Sequence, residues 1–220
     1  MSIDYTLLAI AVVLLYFPRQ WLRWGKQVLK SEKHSRRGDS NDFDPSRRRE
    51  MGDPAVIASD EFAKGRNYVD FLRAVAGSAV VLGTAYSPSC LTALADGPGA
   101  SERTLVLLRC AIVFGATLVQ VFRFEKRFTL YAPIFFLGGI TFGFLGWPAA
   151  FAFALVWAFN LGFPNASTFL FAHAVLALVF GLVFAGINRT YAAAAFGCLF
   201  FPVLVSLLSK RALQTFHRRS

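Results

Sequence analysis

Carboxylates are missing where a water-soluble domain would need them. From Phe128 to Leu208 the chain has no Asp or Glu, one basic residue (Arg189) and one His (His173), and is filled with Phe, Ala, Leu, Val and Gly. No soluble domain hides so much apolar surface in unbroken runs, so the expected solvent for this region is lipid. Lysine is missing too. None falls within an apolar run, which removes the attachment point for a Schiff-base chromophore of the seven-helix opsin kind. Cysteine is sparse: Cys90 lies in a polar loop, and Cys110 and Cys198 in apolar runs, without metal-ligand spacing. Neither a disulfide framework nor a metal site is expected from them. A Gly-rich phosphate loop, a Ser/His/Asp set, a CxxC pair and paired intramembrane carboxylates are also lacking. No enzyme activity and no cofactor are therefore expected.

What is present is strongly segregated. Hydrophobic residues make up 55% and charged residues 16%, with a formal net charge of +10. The charges concentrate between Arg19 and Arg66 and at the extreme C-terminus. In a membrane protein such a basic excess marks cytoplasmic loops, so anionic lipid headgroups, not nucleic acid, are the expected partners.

Apolar runs and their punctuation predict seven spans: Ile3–Phe17, Tyr68–Tyr86, Thr104–Phe122, Leu130–Gly146, Ala149–Phe163, Thr168–Ile187 and Tyr191–Leu208. The expected fold is an all-α, polytopic transmembrane helical bundle. Its count falls to five if the short first and fifth runs do not cross. An N-terminus outside and a C-terminus in the cytoplasm place Arg19–Arg49, Arg123–Arg127 and Lys210–Arg219 on one side. Only Arg103 and Arg189 then remain in the opposite loops, as the positive-inside bias requires. The likeness to multi-pass proteins of the bacterial inner membrane is one of composition alone.

Four regions follow. Residues 1–30 hold the first span and a basic amphipathic stretch, with Trp21 and Trp24 at the interface and Arg19, Arg23, Lys26 and Lys30 among headgroups. Residues 31–66, rich in Ser, Arg, Asp and Glu and broken by Pro45 and Pro54, read as a polar cytoplasmic loop or disordered linker. Residues 67–209 are the bundle and 210–220 a basic tail. Ala79-x-x-x-Gly83 and Gly139-x-x-x-Gly143 supply small residues for close helix approach. The triplets at Asn165 and Asn188 match a glycosylation acceptor, but this is a short pattern that chance often produces.

Polar residues within spans are costly and so are the candidate sites. Asp70 and Arg73 stand three apart on one helix face. Arg109 sits deeper in the third span, with Glu102 two turns back as one possible partner. Under the expected topology Asp70, Arg73, Gln120, Asn160 and His173 all fall in the cytoplasmic half of their spans. Either they converge on a polar pocket, or they make separate interhelical hydrogen bonds. The leading functional expectation is a non-catalytic subunit or scaffold of a membrane complex, partnered by other membrane chains or by itself. The alternative is a small transporter or channel for an ion or small anionic solute, with Arg109 and the inner cluster on its path. An intramembrane lipid-acting enzyme is third, because no convincing acid/base pair is present.

Overall fold

Each of the seven apolar runs forms a helix. A computed structural model describes residues 2–18, 56–83, 88–92, 102–124, 128–184 and 189–215. The basic stretch Arg19–Lys30, the Arg47–Arg49 run, residues 125–127 and the last five residues lie outside the described residues.

Helix α1 spans Tyr5–Tyr16, with the Asp4 carboxylate accepting from the Thr6 and Leu7 amides. Of the segment read as a loop over 31–66, the described part carries a short helix, α2 (Ala58–Phe62). Helix α3 covers Gly65–Leu82 and ends at Gly83, whose φ of 74° suits glycine and whose amide returns to the Ala79 carbonyl. Helix α4 (Glu102–Val121) follows, then α5 (Ile134–Leu145) and α6 (Pro148–Ala158), which has Pro in its first turn. After a 3-10 turn at Asn160–Gly162 come α7 (Ala166–Val183) and α8 (Arg189–Ser209), which contains Pro202.

Among the described residues five short strands mark the two ends of the bundle. At one end β1 (Ser2–Ile3) pairs antiparallel with β2 (Leu91–Thr92). At the other, β3 (Phe122–Phe124) and β4 (Phe128–Tyr131) form a hairpin, to which β5 (Leu213–Gln214) adds in parallel. Leu130 therefore belongs to a strand and not to the fourth helix, as the apolar run had implied. A short Phe-rich stretch satisfies either periodicity, and the strand pairing decides it. The seven longer helices run alternately between these ends. Phe17 meets Arg73 in the third turn of α3, Cys90 meets Asp4, and Phe184 at the close of α7 meets Trp147 at the start of α6.

Among the described residues three helices are long and apolar enough to cross a membrane: Glu102–Val121, Ala166–Val183 and Arg189–Ser209. Helices α1, α5 and α6 are apolar but shorter. Helix α5 sits at the centre, with every residue but Phe142 buried. Its glycines explain why. A Cβ on Gly139 would lie 2.5 Å from the Phe71 carbonyl oxygen, and one on Gly143 would strike Ser78, so α3 and α5 touch backbone to backbone. Gly83, expected on the same kind of packing face, instead ends α3. Gly77, against Leu15 of α1, does the packing. Ala79 is half-buried.

Candidate functional site: a polar cluster at the end of the first helix

Helix α1 has 12 residues, about 18 Å at the α-helical rise. It stops well short of a hydrocarbon thickness of about 30 Å. Its last carbonyls have no partner within the helix, and in an apolar surrounding they must find one in the protein. Two neighbouring helices supply it. Arg73, on α3, sends Nη1 to the Phe17 carbonyl at 2.5 Å and towards that of Leu14 at 3.4 Å. Gln120, on α4, donates through Nε2 to the carbonyls of Leu15 at 3.1 Å and Phe17 at 3.0 Å.

The remaining atoms of these side chains hold one another. Arg73 Nε donates to Asp70 Oδ1 at 3.0 Å, and Nη2 to Gln120 Oε1 at 3.2 Å. The guanidinium lies 5.0 Å from the centre of the Phe136 ring. All three residues are buried. The 3-residue spacing of Asp70 and Arg73 puts carboxylate and guanidinium on one face of α3, and Gln120 meets them because α4 ends at the level where α3 begins. A cation at the C-terminal end of α1 also complements the helix dipole. Thus Asp70, Arg73 and Gln120 converge.

The other two expected members lie elsewhere. Asn160, in the 3-10 turn after α6, donates through Nδ2 to the Val56 carbonyl at 2.9 Å and so ties the approach to α2 onto the bundle. His173, on α7, is fully buried. Its nearest ring partner is Phe153 at 5.8 Å, and neither nitrogen has a hydrogen-bond partner among the described residues. Arg109 stands at the opposite end of the bundle. Its Nη2 donates to the Leu91 carbonyl at 2.5 Å and Nη1 to the Tyr191 hydroxyl at 3.4 Å, which fastens the β1–β2 ribbon to α4 and α8.

Several structural residues escaped sequence reasoning. Glu61, Lys64 and Asn67 form a buried set below α2, with Lys64 Nζ 2.7 Å from Glu61 Oε1 and Asn67 Nδ2 2.7 Å from Glu61 Oε2. Their repeated spacing of three was the available signal, and it was hidden by the polar composition around it. Phe62 then enters an aromatic cluster with Phe135 and Trp157. Tyr16 donates to the Ile112 carbonyl at 2.6 Å, in space left by Gly115. Nothing local in the sequence points to that contact.

Asn165 uses its side-chain oxygen to cap α7, accepting from the Thr168 amide at 2.8 Å. Cys90 is buried in the loop before β2, and burial pushes its thiol above the ordinary value. Among the described residues no three His, Cys, Asp or Glu gather in a way that could hold a metal ion. An open groove of about 670 Å³ runs between α6 and α7, walled by Leu155, Phe159, Phe163, Phe171, Val175 and Leu176. Compared with family models, with characterised proteins and with solved structures, the chain matches none.

Proposed function

We propose that this chain is an integral protein of a cell membrane, crossing it seven times with the N-terminus outside and the C-terminus in the cytoplasm. Within the membrane it serves as a non-catalytic subunit or scaffold. The membrane part of the reading rests on the inverted polarity of α3. Asp70, Arg73 and Ser78 are buried on its inner face, while Leu72 is 64% and Val69 51% exposed. A helix in water turns its charges outward; one in lipid turns them towards the bundle. The same pattern recurs at Val13, Leu107, Val183 and Leu208, all more than half exposed.

The scaffold part rests on what the costly polar residues do. Arg73 and Gln120 spend their donors on the end of α1, Arg109 on a ribbon and Asn160 on the approach to α2. A path for an anion would need such groups to face a solute. Here they hold backbone carbonyls. The partners this implies are anionic lipid headgroups along the basic segments and other membrane chains, or further copies, against the apolar faces.

Cysteine labelling tests the topology. In a variant with Cys90, Cys110 and Cys198 replaced, single cysteines placed at Arg48 and at Ser220 should both be shielded from an impermeant maleimide in intact cells, and a cysteine at Ser101 should react. Opposite accessibility of Arg48 and Ser220 removes the seven-span map. Purification in mild detergent tests the role: stable co-purification of another membrane chain is expected. A solitary particle whose thermal stability rises with a small anion would favour transport.

A further inference from the structure

A cleft of about 400 Å³ opens at the end of the bundle that carries β1 and β2, between the first turns of α4 and the start of α8. Its lining is Glu102, Arg103, Val106, Leu107 and Thr190. Glu102 and Arg103 are exposed side chains of opposite charge and adjacent in sequence, so about 100° apart around the helix. Val106 lies one turn below both, and Leu107 one turn below Arg103. The cleft is therefore layered. A charged pair sits at the rim and an aliphatic step about 5.4 Å beneath it. Leu107, 61% exposed, and Leu108, 38% exposed and about 100° further round α4, widen the apolar surface beside this step. Beneath, on the face shared by Glu102 and Val106, Arg109 reaches Tyr191 and adds a second positive charge.

We infer that this cleft binds the headgroup of a phospholipid bearing a primary amine, of the phosphoethanolamine type, in the leaflet at this end of the bundle. The phosphate pairs with Arg103, with the field of Arg109 behind it. The ammonium pairs with Glu102, which would repel an anionic headgroup lacking an amine. The glycerol and the first methylenes rest on Val106 and Leu107. Layering of charge over hydrocarbon separates this ligand from a soluble phosphate, which has no use for the aliphatic step. The inference rests on the membrane reading above and adds a lipid class to it.

The test uses the full chain, delipidated in mild detergent and titrated with ethanolamine, choline and glycerol phospholipids of identical acyl chains. Bound lipid is read by native mass spectrometry and stability by tryptophan fluorescence. The ethanolamine lipid is expected to bind about fivefold more tightly than the other two, the worth of one partly exposed ion pair. Glu102→Gln should abolish that preference, and Arg103→Gln should weaken the ethanolamine and glycerol lipids alike. Both variants should melt with the wild type when no lipid is added, since neither side chain is buried. Equal binding of all three lipids, or a preference that survives Glu102→Gln, overturns the site. A shift of equal size from soluble O-phosphoethanolamine overturns the lipid assignment. Alkaline carbonate extraction separates the two levels: release of the chain from membranes defeats the membrane reading itself, whereas retention without lipid preference defeats this inference alone.

Discussion

Arg73 joins three helices through one side chain. It caps α1, neutralises Asp70 and holds Gln120, and its guanidinium is excluded from water while doing so. Removing one member of a buried ion pair costs about 3–5 kcal/mol, because a charge is left without compensation. Arg73→Leu should therefore lower unfolding stability in detergent by roughly that much. Asp70→Leu combined with Arg73→Leu should recover part of the loss but not all of it. The carboxylate is gone in the double variant, yet the Leu14 carbonyl and Gln120 Oε1 have lost the donor that Arg73 supplied, and Phe17 keeps only Gln120. Thermal melts of the two proteins measure the difference, and an Arg73→Leu protein within about 0.5 kcal/mol of wild type would sink this account of the cluster. The pairing of Asp70 with Arg73 was legible from their spacing alone. That Gln120 joins them and Asn160 and His173 do not was not legible, because contact between residues 47 apart depends on how α3 and α4 cross. Still less legible was the ligand of the cluster, since it is backbone: the last carbonyls of a 12-residue helix.

Among the elements, the contact of α3 with α5 decides the packing, and glycine decides the contact. Gly139 faces the Phe71 carbonyl and the Ala74 methyl, and backbone cannot swing aside as a flexible side chain can. Gly139→Ala should cost about 1–3 kcal/mol, the range for overpacking. Gly162→Ala provides the control, because a Cβ there meets nothing within 4 Å. Equal melting temperatures for the two variants would show that α3 and α5 separate easily, contrary to the geometry. The small-xxx-small pattern at Gly139 and Gly143 announced this interface, whereas Ala79-x-x-x-Gly83 misled. The reason is position. A glycine one residue past the last helical turn is worth more as a positive-φ terminator than as a packing surface. The seven longer helices were readable, since long apolar runs have few alternatives to helix, whereas the short α2 lay hidden in a polar segment. Boundaries were harder: β3, β4 and β5 consist of two to four residues each, β3 and β4 closing a hairpin and β5 joining from the far end of the chain.

For the whole molecule the question is which solvent faces the outward side chains, and one experiment distinguishes lipid from water. Leu72 lies near the middle of α3 and Val175 near the middle of α7, 64% and 38% exposed respectively. In water, a charge at an exposed position changes stability by no more than about 0.5 kcal/mol. In a bilayer, an aspartate near the centre of a spanning helix costs about 2.5–3.5 kcal/mol of insertion. Leu72→Asp and Val175→Asp should each cut the amount of chain recovered in the membrane fraction severely, with the remainder degraded or aggregated. Ser209→Asp, exposed at the last residue of α8, should not. Wild-type recovery of all three would mean that the apolar faces meet water or a pore, and the inverted polarity of α3 would need another cause. Selective loss of the two mid-helix variants makes the bilayer the solvent on the outward faces of both α3 and α7. Helix α3 is the more demanding case, because its length of 18 residues comes with Asp70 and Arg73 inside it. Under that outcome the Asp70–Arg73–Gln120 set, sealed against the end of α1, is what would let such a helix stand in lipid.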